Sequence, residues 1–151
     1  MYNLAKIETD FPWALEDRSL DRPHEKTGFN SFENLPQGWG NIIKEHLIQL
    51  EKILTDFNII DAFSVIQIKE KYGALRFYYS FESPHFSDNS ENESNLIPKE
   101  AKRAVFQCIE DLEKATYKTC CFCGEAKDSV AYRNDHIHYS CDDCEKTYTH
   151  T

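Results

Sequence analysis

Two stretches of the chain repeat apolar side chains at spacings of three and four residues, which places them on one face of an α-helix. The first stretch runs from about Asn41 to Phe57, and its repeat comprises Ile43, Leu47, Leu50, Leu54 and Phe57. The second begins at Pro98, a residue suited to the first turn of a helix, and continues to about Tyr117. Its apolar face comprises Ala101, Val105, Cys108, Ile109, Leu112 and Ala115. The pattern therefore predicts two amphipathic helices.

A different periodicity lies between the two helices. Residues 62–69 are rich in β-branched and aromatic side chains, and residues 74–81 alternate Leu75, Phe77, Tyr79 and Phe81 on one face. A short connection that contains Gly73 joins them, and glycine readily adopts the positive φ of tight turns. These features predict an antiparallel β-hairpin.

The flanking segments carry no sustained period. Residues 1–36 are polar and interrupted by proline, which predicts an irregular N-terminal arm anchored by aromatic side chains such as Phe11 and Trp13. Residues 82–97 begin with a run of serine, asparagine and acidic side chains that buries too little apolar surface to offset ordering, so we expect a mobile loop there. The chain thus divides into an arm at 1–36, an α+β core at 37–117 and a cysteine-containing subdomain at 118–151.

Composition narrows the class of partner. Apolar residues make up 40% of the 151 residues, enough for a core, and the formal net charge is −9. Residues 118–151 contain 4 of the 17 basic residues and 6 of the 26 acidic ones, so the tail is not a basic patch. An acidic protein repels phosphate backbones and anionic lipid. We therefore expect a basic protein partner rather than nucleic acid or a membrane.

The N-terminal residues lack the charged start and apolar run of a secretory signal, and no apolar stretch approaches the 18 or more residues of a membrane span. The sequence therefore predicts a cytoplasmic protein. Thiols stay reduced in that compartment, where closely paired cysteines are more often metal ligands than disulfides.

Two Cys-x-x-C pairs carry the strongest chemical signal. Cys120 pairs with Cys123, Cys141 pairs with Cys144, and seventeen residues separate the pairs. Two intervening residues let a tight turn aim both thiolates at one ion about 2.3 Å away, and Gly124 supplies backbone freedom for the first turn. The spacing predicts one structural Zn²⁺ with four cysteine ligands.

The segment between the two cysteine pairs predicts a hairpin that brings them together. Residues 129–133 and 136–140 suit two strands, and Asn134 and Asp135 suit a two-residue turn. Such a hairpin is the layout of a zinc ribbon. The predicted fold class is accordingly α+β, with two helices packed on a small antiparallel hairpin and a C-terminal zinc-ribbon hairpin.

Several alternatives remain open at this stage. Two disulfides could replace the metal, His136 or His138 could replace a cysteine ligand, and Cys121 could replace Cys120. Cys108 lies on the apolar face of the second predicted helix and suits a small buried side chain. A catalytic zinc would need an open coordination position, which four cysteines do not leave.

Three sequence motifs of the chain are similar to those of a known group of proteins. The Gly-Trp-Gly sequence at 38–40, the stretch IQIKEKYGALRFYY at 66–79, and the terminal CCFCG with CDDC together resemble a group of small, largely uncharacterised bacterial and phage proteins. Members combine a Gly-Trp helix start, this hairpin and a cysteine-pair tail. The resemblance spans about residues 36–144 and bears on the architecture rather than on an activity.

These observations favour a non-enzymatic intracellular protein that binds and inhibits a protein partner, of the immunity, antitoxin or phage-inhibitor type. A basic toxin such as a nuclease would fit, because opposite charge accelerates association. The alternative hypothesis is a nucleic-acid-associated zinc-ribbon regulatory factor. For phosphate contacts the tail offers four basic side chains, namely Lys118, Lys127, Arg133 and Lys146.

Overall fold

The computed structural model describes residues 1–17, 25–26, 32–81 and 97–149. In this part of the chain there are four α-helices: α1 (Ile7–Asp10), α2 (Gly40–Asp56), α3 (Lys99–Ala115) and α4 (Asp142–Thr149). Six strands form three antiparallel pairs: β1 (Glu16–Asp17) with β2 (Glu25–Lys26), β3 (Phe63–Lys71) with β4 (Ala74–Phe81), and β5 (Ala131–Arg133) with β6 (His138–Ser140). The predicted α+β class is confirmed.

The two long helices lie where the periodicity predicts them and pack against each other. Their buried faces are the predicted apolar faces, with Leu47 and Leu54 in α2 and Val105 in α3 fully buried. Phe57 ends the first repeat outside α2 and is partly exposed. Periodicity therefore identified both helices to within about one turn.

The predicted antiparallel β3–β4 hairpin is confirmed, and its turn has two residues, fewer than the predicted strands at 62–69 and 74–81 leave between them. Tyr72 has φ +54° and Gly73 has φ +86°, the pair of positive values that a tight hairpin turn requires. Side chains at the end of α3 accept hydrogen bonds from backbone N–H groups on the outer edge of β4. Leu75 N–H donates to Thr116 Oγ1 at 3.3 Å, and Phe77 N–H donates to Glu113 Oε2 at 3.0 Å. The helix end thereby covers an otherwise open strand edge.

Within the predicted N-terminal arm, residues 1–17 contain short helical elements, whereas residues 18–24 and 27–31 lie outside the described residues. Two short 3₁₀ helices, Leu4–Lys6 and Pro12–Leu15, flank α1, and the apolar side chains of this region belong to the main core. The indole N–H of Trp13 donates to Glu51 Oε2 of α2 at 2.7 Å. The elements are too short for a periodicity to be detected, so sequence could identify only the anchoring aromatics.

The C-terminal hairpin is shorter than predicted. Strands at 129–133 and 136–140 with a two-residue turn are replaced by three-residue strands and a four-residue turn at 134–137. The reason is local: Ile137 adopts φ +55°, and its N–H donates to Arg133 O at 2.8 Å. His136 therefore lies in the turn and only His138 in a strand.

The predicted mobile loop at 82–97 lies outside the described residues except for Ile97, whose side chain is buried. Among the described residues, no helix is both long and apolar enough to cross a membrane.

Candidate metal centre

The four predicted cysteines converge on one point. The sulfur atoms of Cys120, Cys123, Cys141 and Cys144 all lie within 4.8 Å of one another, and Cys123 Sγ is 3.9 Å from Cys141 Sγ. A tetrahedron with metal–sulfur bonds of ~2.3 Å has edges of ~3.8 Å. All six cysteines of the chain are free thiols. The group can therefore hold a metal ion such as zinc.

The first pair lies on a tight backbone turn. Gly124 N–H donates to Cys120 O at 2.9 Å, and Cys120 N–H donates to Glu125 O at 3.0 Å. Gly124 has φ +78°, a backbone angle that residues other than glycine rarely adopt. This turn brings Cys120 and Cys123 to the same side of the chain, as their spacing predicts.

The second pair lies at the start of a helix that was not predicted. Cys141 immediately precedes α4 and Cys144 lies in its first turn, where Glu145 N–H donates to Cys141 O at 3.0 Å. Residues three apart in a helix share a face, so this turn places both thiols beside those of the first pair. The acidic residues Asp142 and Asp143 after Cys141 are the signal that could have identified this helix start.

The thiols of the group differ in acidity. For Cys120, burial raises the pKa, but backbone hydrogen bonds from Cys123, Cys141 and Phe122 outweigh burial and lower it to about 7. For Cys123 and Cys144 burial is the largest influence and the pKa is raised. Cys120 is therefore more easily ionised than Cys123 or Cys144, and the positive charge of a bound ion would promote ionisation of those two thiols.

Metal binding should consequently release protons. At pH 7.5 we expect roughly two or more protons to leave per ion bound, because the raised pKa of Cys123 and Cys144 keeps both thiols protonated beforehand. The affinity should fall as the pH falls through about 7, where Cys120 also takes up its proton. Calorimetric zinc titrations in buffers of different ionisation enthalpy measure the proton count. Identical heats in all buffers would contradict this expectation.

Neither remaining cysteine joins the group. Cys121 is buried, which raises the pKa of its thiol to about 12, and its backbone N–H donates to Tyr139 O. Cys108 is buried on α3 as predicted, and burial raises its pKa to about 11. The alternative in which Cys121 replaces Cys120 therefore has no geometric support.

The two candidate histidines also lie outside the cysteine group. His136 Nδ1–H and His138 Nε2–H each donate to the carboxylate of Glu145, at 2.6 and 2.7 Å, and Ser140 Oγ–H donates to it at 2.6 Å. Burial raises the pKa of Glu145, but the three hydrogen bonds outweigh burial and lower it to about 2. Glu145 was not predicted, because its helix was not.

The backbone of the first cysteine turn is fitted to the Gly-Trp-Gly motif. Gly38 N–H donates to Cys121 O at 2.9 Å, and a Cβ atom at Gly38 would overlap the backbone carbonyls of Cys120 and Cys121. The first cysteine turn therefore occupies the space that a side chain at position 38 would need. This contact fastens the C-terminal segment to the start of α2.

The β3–β4 turn reaches the same region. A Cβ atom at Gly73 would lie 3.1 Å from His138 Cα and 3.2 Å from Ile137 O. A cavity of about 550 Å³ opens here, and its lining includes Trp39, Glu70, Gly73, Phe122 and both histidines. Trp39 is fully buried, and its indole N–H has no acceptor within the described residues. All three sequence motifs thus meet at one cavity.

Comparison of the chain with protein-family models, with curated proteins and with solved structures finds no match, so the resemblance to the bacterial and phage group stays a prediction.

Proposed function

We propose that the cysteine group holds one structural Zn²⁺ and that residues 118–149 form a zinc ribbon fastened to the core. The closed shell of four thiolates, two of them fully buried, supports a structural role because it leaves no position for a substrate. The segment has few apolar residues of its own, so the ion supplies much of its folding free energy. The thiolate ligands also favour a reducing, intracellular compartment.

We further propose that the protein is a non-enzymatic binding protein that inhibits a protein partner. The observation that carries this proposal is an exposed apolar surface beside the cavity, formed by Phe122, Ile137 and Tyr148, which are 38%, 50% and 44% exposed. Phe122 and Tyr148 stack on each other at 5.3 Å between ring centroids. Rigid aromatic groups at the edge of a cavity are typical anchors of protein interfaces.

Charge indicates the kind of partner. The whole chain has a net charge of −9. An apolar anchor on an acidic protein is complementary to an apolar site within a basic surface. A basic toxin such as a nuclease has this character, and the protein would act as its immunity protein or antitoxin.

The alternative of a nucleic-acid-associated factor gains less support. Lys127 forms ion pairs with Glu125 and Asp143, and Arg133 forms one with Asp142. Two of the four basic side chains in the tail are therefore engaged by neighbouring carboxylates. Phosphate contacts would have to break these pairs.

The proposal is tested by capturing the partner protein from the host and by comparing two matched variants in their binding to it. Ile137→Asn removes an apolar anchor at a position with φ +55°, which asparagine tolerates well, and Ile48→Gln changes an equally exposed isoleucine on α2. We expect the wild-type protein to capture one basic protein from its host and to form a stoichiometric complex with it after purification. Ile137→Asn should weaken that complex at least about tenfold. Ile48→Gln should leave it unchanged.

The salt dependence of the same complex provides the charge test. The association rate should fall steeply as ionic strength rises, because long-range attraction between opposite charges is screened. A captured partner with an acidic surface, or a complex that Ile137→Asn leaves intact, would contradict the proposal. Binding that responds to DNA or RNA instead would favour the alternative.

A further inference from the structure

We propose that His136, His138 and Glu145 form a second metal site, distinct from the cysteine group, for a divalent transition-metal ion such as Zn²⁺, Co²⁺ or Ni²⁺. One ligand atom from each of the three side chains lies within 4.8 Å of the other two. Imidazole nitrogen with a carboxylate oxygen is a donor set that these ions prefer. No cysteine belongs to this group, and none of its three members belongs to the cysteine group.

The geometry requires little movement to admit an ion. The imidazole nitrogens now lie 2.6 and 2.7 Å from the Glu145 oxygens. An ion with bonds of ~2.1 Å and ligand angles between ~90° and ~109° separates its nitrogen and oxygen ligands by ~3.0 to 3.4 Å. Each nitrogen–oxygen pair therefore has to separate by less than ~1 Å. The ion would take the place of the two protons that now lie between the imidazoles and the carboxylate.

The three donors are held by different elements and enclosed by aromatic rings. His136 lies in the β5–β6 turn, His138 lies in β6, and Glu145 lies in α4. The Tyr148 ring packs edge-on against both imidazoles, at 4.7 and 5.2 Å between centroids, and the Phe122 ring packs against His138 at 5.1 Å. An apolar shell of this kind limits the access of water and strengthens ligand–metal interactions.

Support for the carboxylate comes from Ser140. Its hydroxyl donates to Glu145 Oε2 at 2.6 Å, in the manner of the outer hydrogen bonds that orient metal-bound carboxylates. The side chains of His138 and Glu145 are only 14% and 15% exposed. The group is therefore oriented before an ion arrives.

Three protein ligands leave at least one coordination position open, unlike the closed cysteine shell. Both histidines line the 550 Å³ cavity, so an ion has a route to the site and its open position has space for water or another donor. This site does not depend on the protein partner proposed above, because its three ligands all come from this chain.

A metal-free explanation makes a different prediction. If the three side chains serve only as a hydrogen-bond network that anchors α4, glutamine at either histidine position should retain a donor for Glu145, and no ion should bind. The metal site instead requires the imidazole nitrogens themselves, because an amide nitrogen is a poor metal ligand. Metal titration of glutamine variants separates the two explanations.

The experiment uses the full chain with zinc already bound to its cysteine group under reducing conditions. Titration with Ni²⁺, followed by calorimetry, should show one further equivalent bound, while elemental analysis shows that the first zinc is retained. His136→Gln and His138→Gln should each weaken nickel binding at least about tenfold. His46→Gln serves as the matched control, because His46 lies on α2, away from the proposed site, and its ring Nδ1–H donates to Ile42 O of the same helix at 2.7 Å.

Circular dichroism of each variant checks that the fold is retained. Absence of a second equivalent in the wild-type protein would overturn the proposal. Nickel binding of equal strength in the wild type and in both glutamine variants would overturn it too, because the ion would then lie elsewhere.

Discussion

Replacement of Cys120 by serine is expected to reduce zinc affinity by about 100-fold or more. Structural zinc sites contribute roughly 10–16 kcal/mol of apparent binding free energy, and one thiolate of four accounts for about a quarter of it. Cys120 is also fully buried, so its hydroxyl replacement would be left beside the remaining sulfurs. Competition with a zinc chelator measures the affinity. Amide hydrogen exchange should show protection lost across residues 118–149 while α2 and α3 stay protected.

Cys121→Ser is the matched control, because this neighbouring cysteine is also buried but lies outside the cysteine group. It should keep its zinc, although burial of a hydroxyl in place of the thiol will cost some stability. Equal zinc affinity in Cys120→Ser and the wild type would contradict the assignment of ligands. Loss of zinc from Cys121→Ser alone would reverse the roles of the two adjacent cysteines.

Replacement of Gly38 by alanine is expected to lower the free energy of unfolding by about 3 kcal/mol, the upper range for forcing extra volume into a packed site. The added Cβ would overlap the backbone carbonyls of Cys120 and Cys121 and would displace the Gly38 N–H to Cys121 O hydrogen bond. Urea denaturation of the zinc-loaded protein measures the loss. Backbone atoms cannot rotate away as a flexible side chain could, so the turn itself must shift.

Helix propensity alone predicts the opposite sign. Gly38 lies in a short 3₁₀ turn at Gln37–Trp39, and alanine is favoured over glycine in helical conformations. Gln37→Ala in the same turn is the matched control, since Gln37 is exposed and its amide makes only a 3.4 Å hydrogen bond to Glu33 O. It should change stability by less than about 0.5 kcal/mol. If the Gly38→Ala protein is as stable as this control, the first cysteine turn does not pack against Gly38.

These contacts bring the three sequence motifs together in the structure. Gly38 makes room for the backbone of the first cysteine turn, and Gly73 brings the β3–β4 turn against the second half of the C-terminal hairpin. Trp39 is fully buried and lines the cavity together with Gly73. The motifs are distant in sequence but lie at one junction, where the C-terminal segment meets the core.

Sequence reasoning succeeded where one residue pattern determines the outcome. The spacing of Leu47, Leu50 and Leu54 predicts α2 because helical periodicity is local, and the Cys-x-x-C pairs predict the metal group because two residues suffice to form a turn. The positive φ at Gly73 likewise follows from a two-residue hairpin connection. In each case the relevant contacts lie within a few residues of one another.

It failed where tertiary contacts determine the outcome. Ile7 and Phe11 belong to one buried core with residues far along the chain, and no local period indicates that they belong to it. The His136–Glu145 contact depends on α4 folding back onto the hairpin turn, and that turn is longer than a two-residue connection because Ile137 adopts a positive φ. Local patterns carry no information about either arrangement.

The zinc content of the reduced 151-residue chain tests the central claim most directly. Elemental analysis combined with native mass spectrometry counts the ions per chain, and the His138→Gln variant weakens binding at the second site. We expect about one tightly held zinc per chain in that variant, retained until a strong chelator removes it and exposes residues 118–149 to amide exchange. A folded, fully protected C-terminal segment that contains no metal under reducing conditions would contradict the claim.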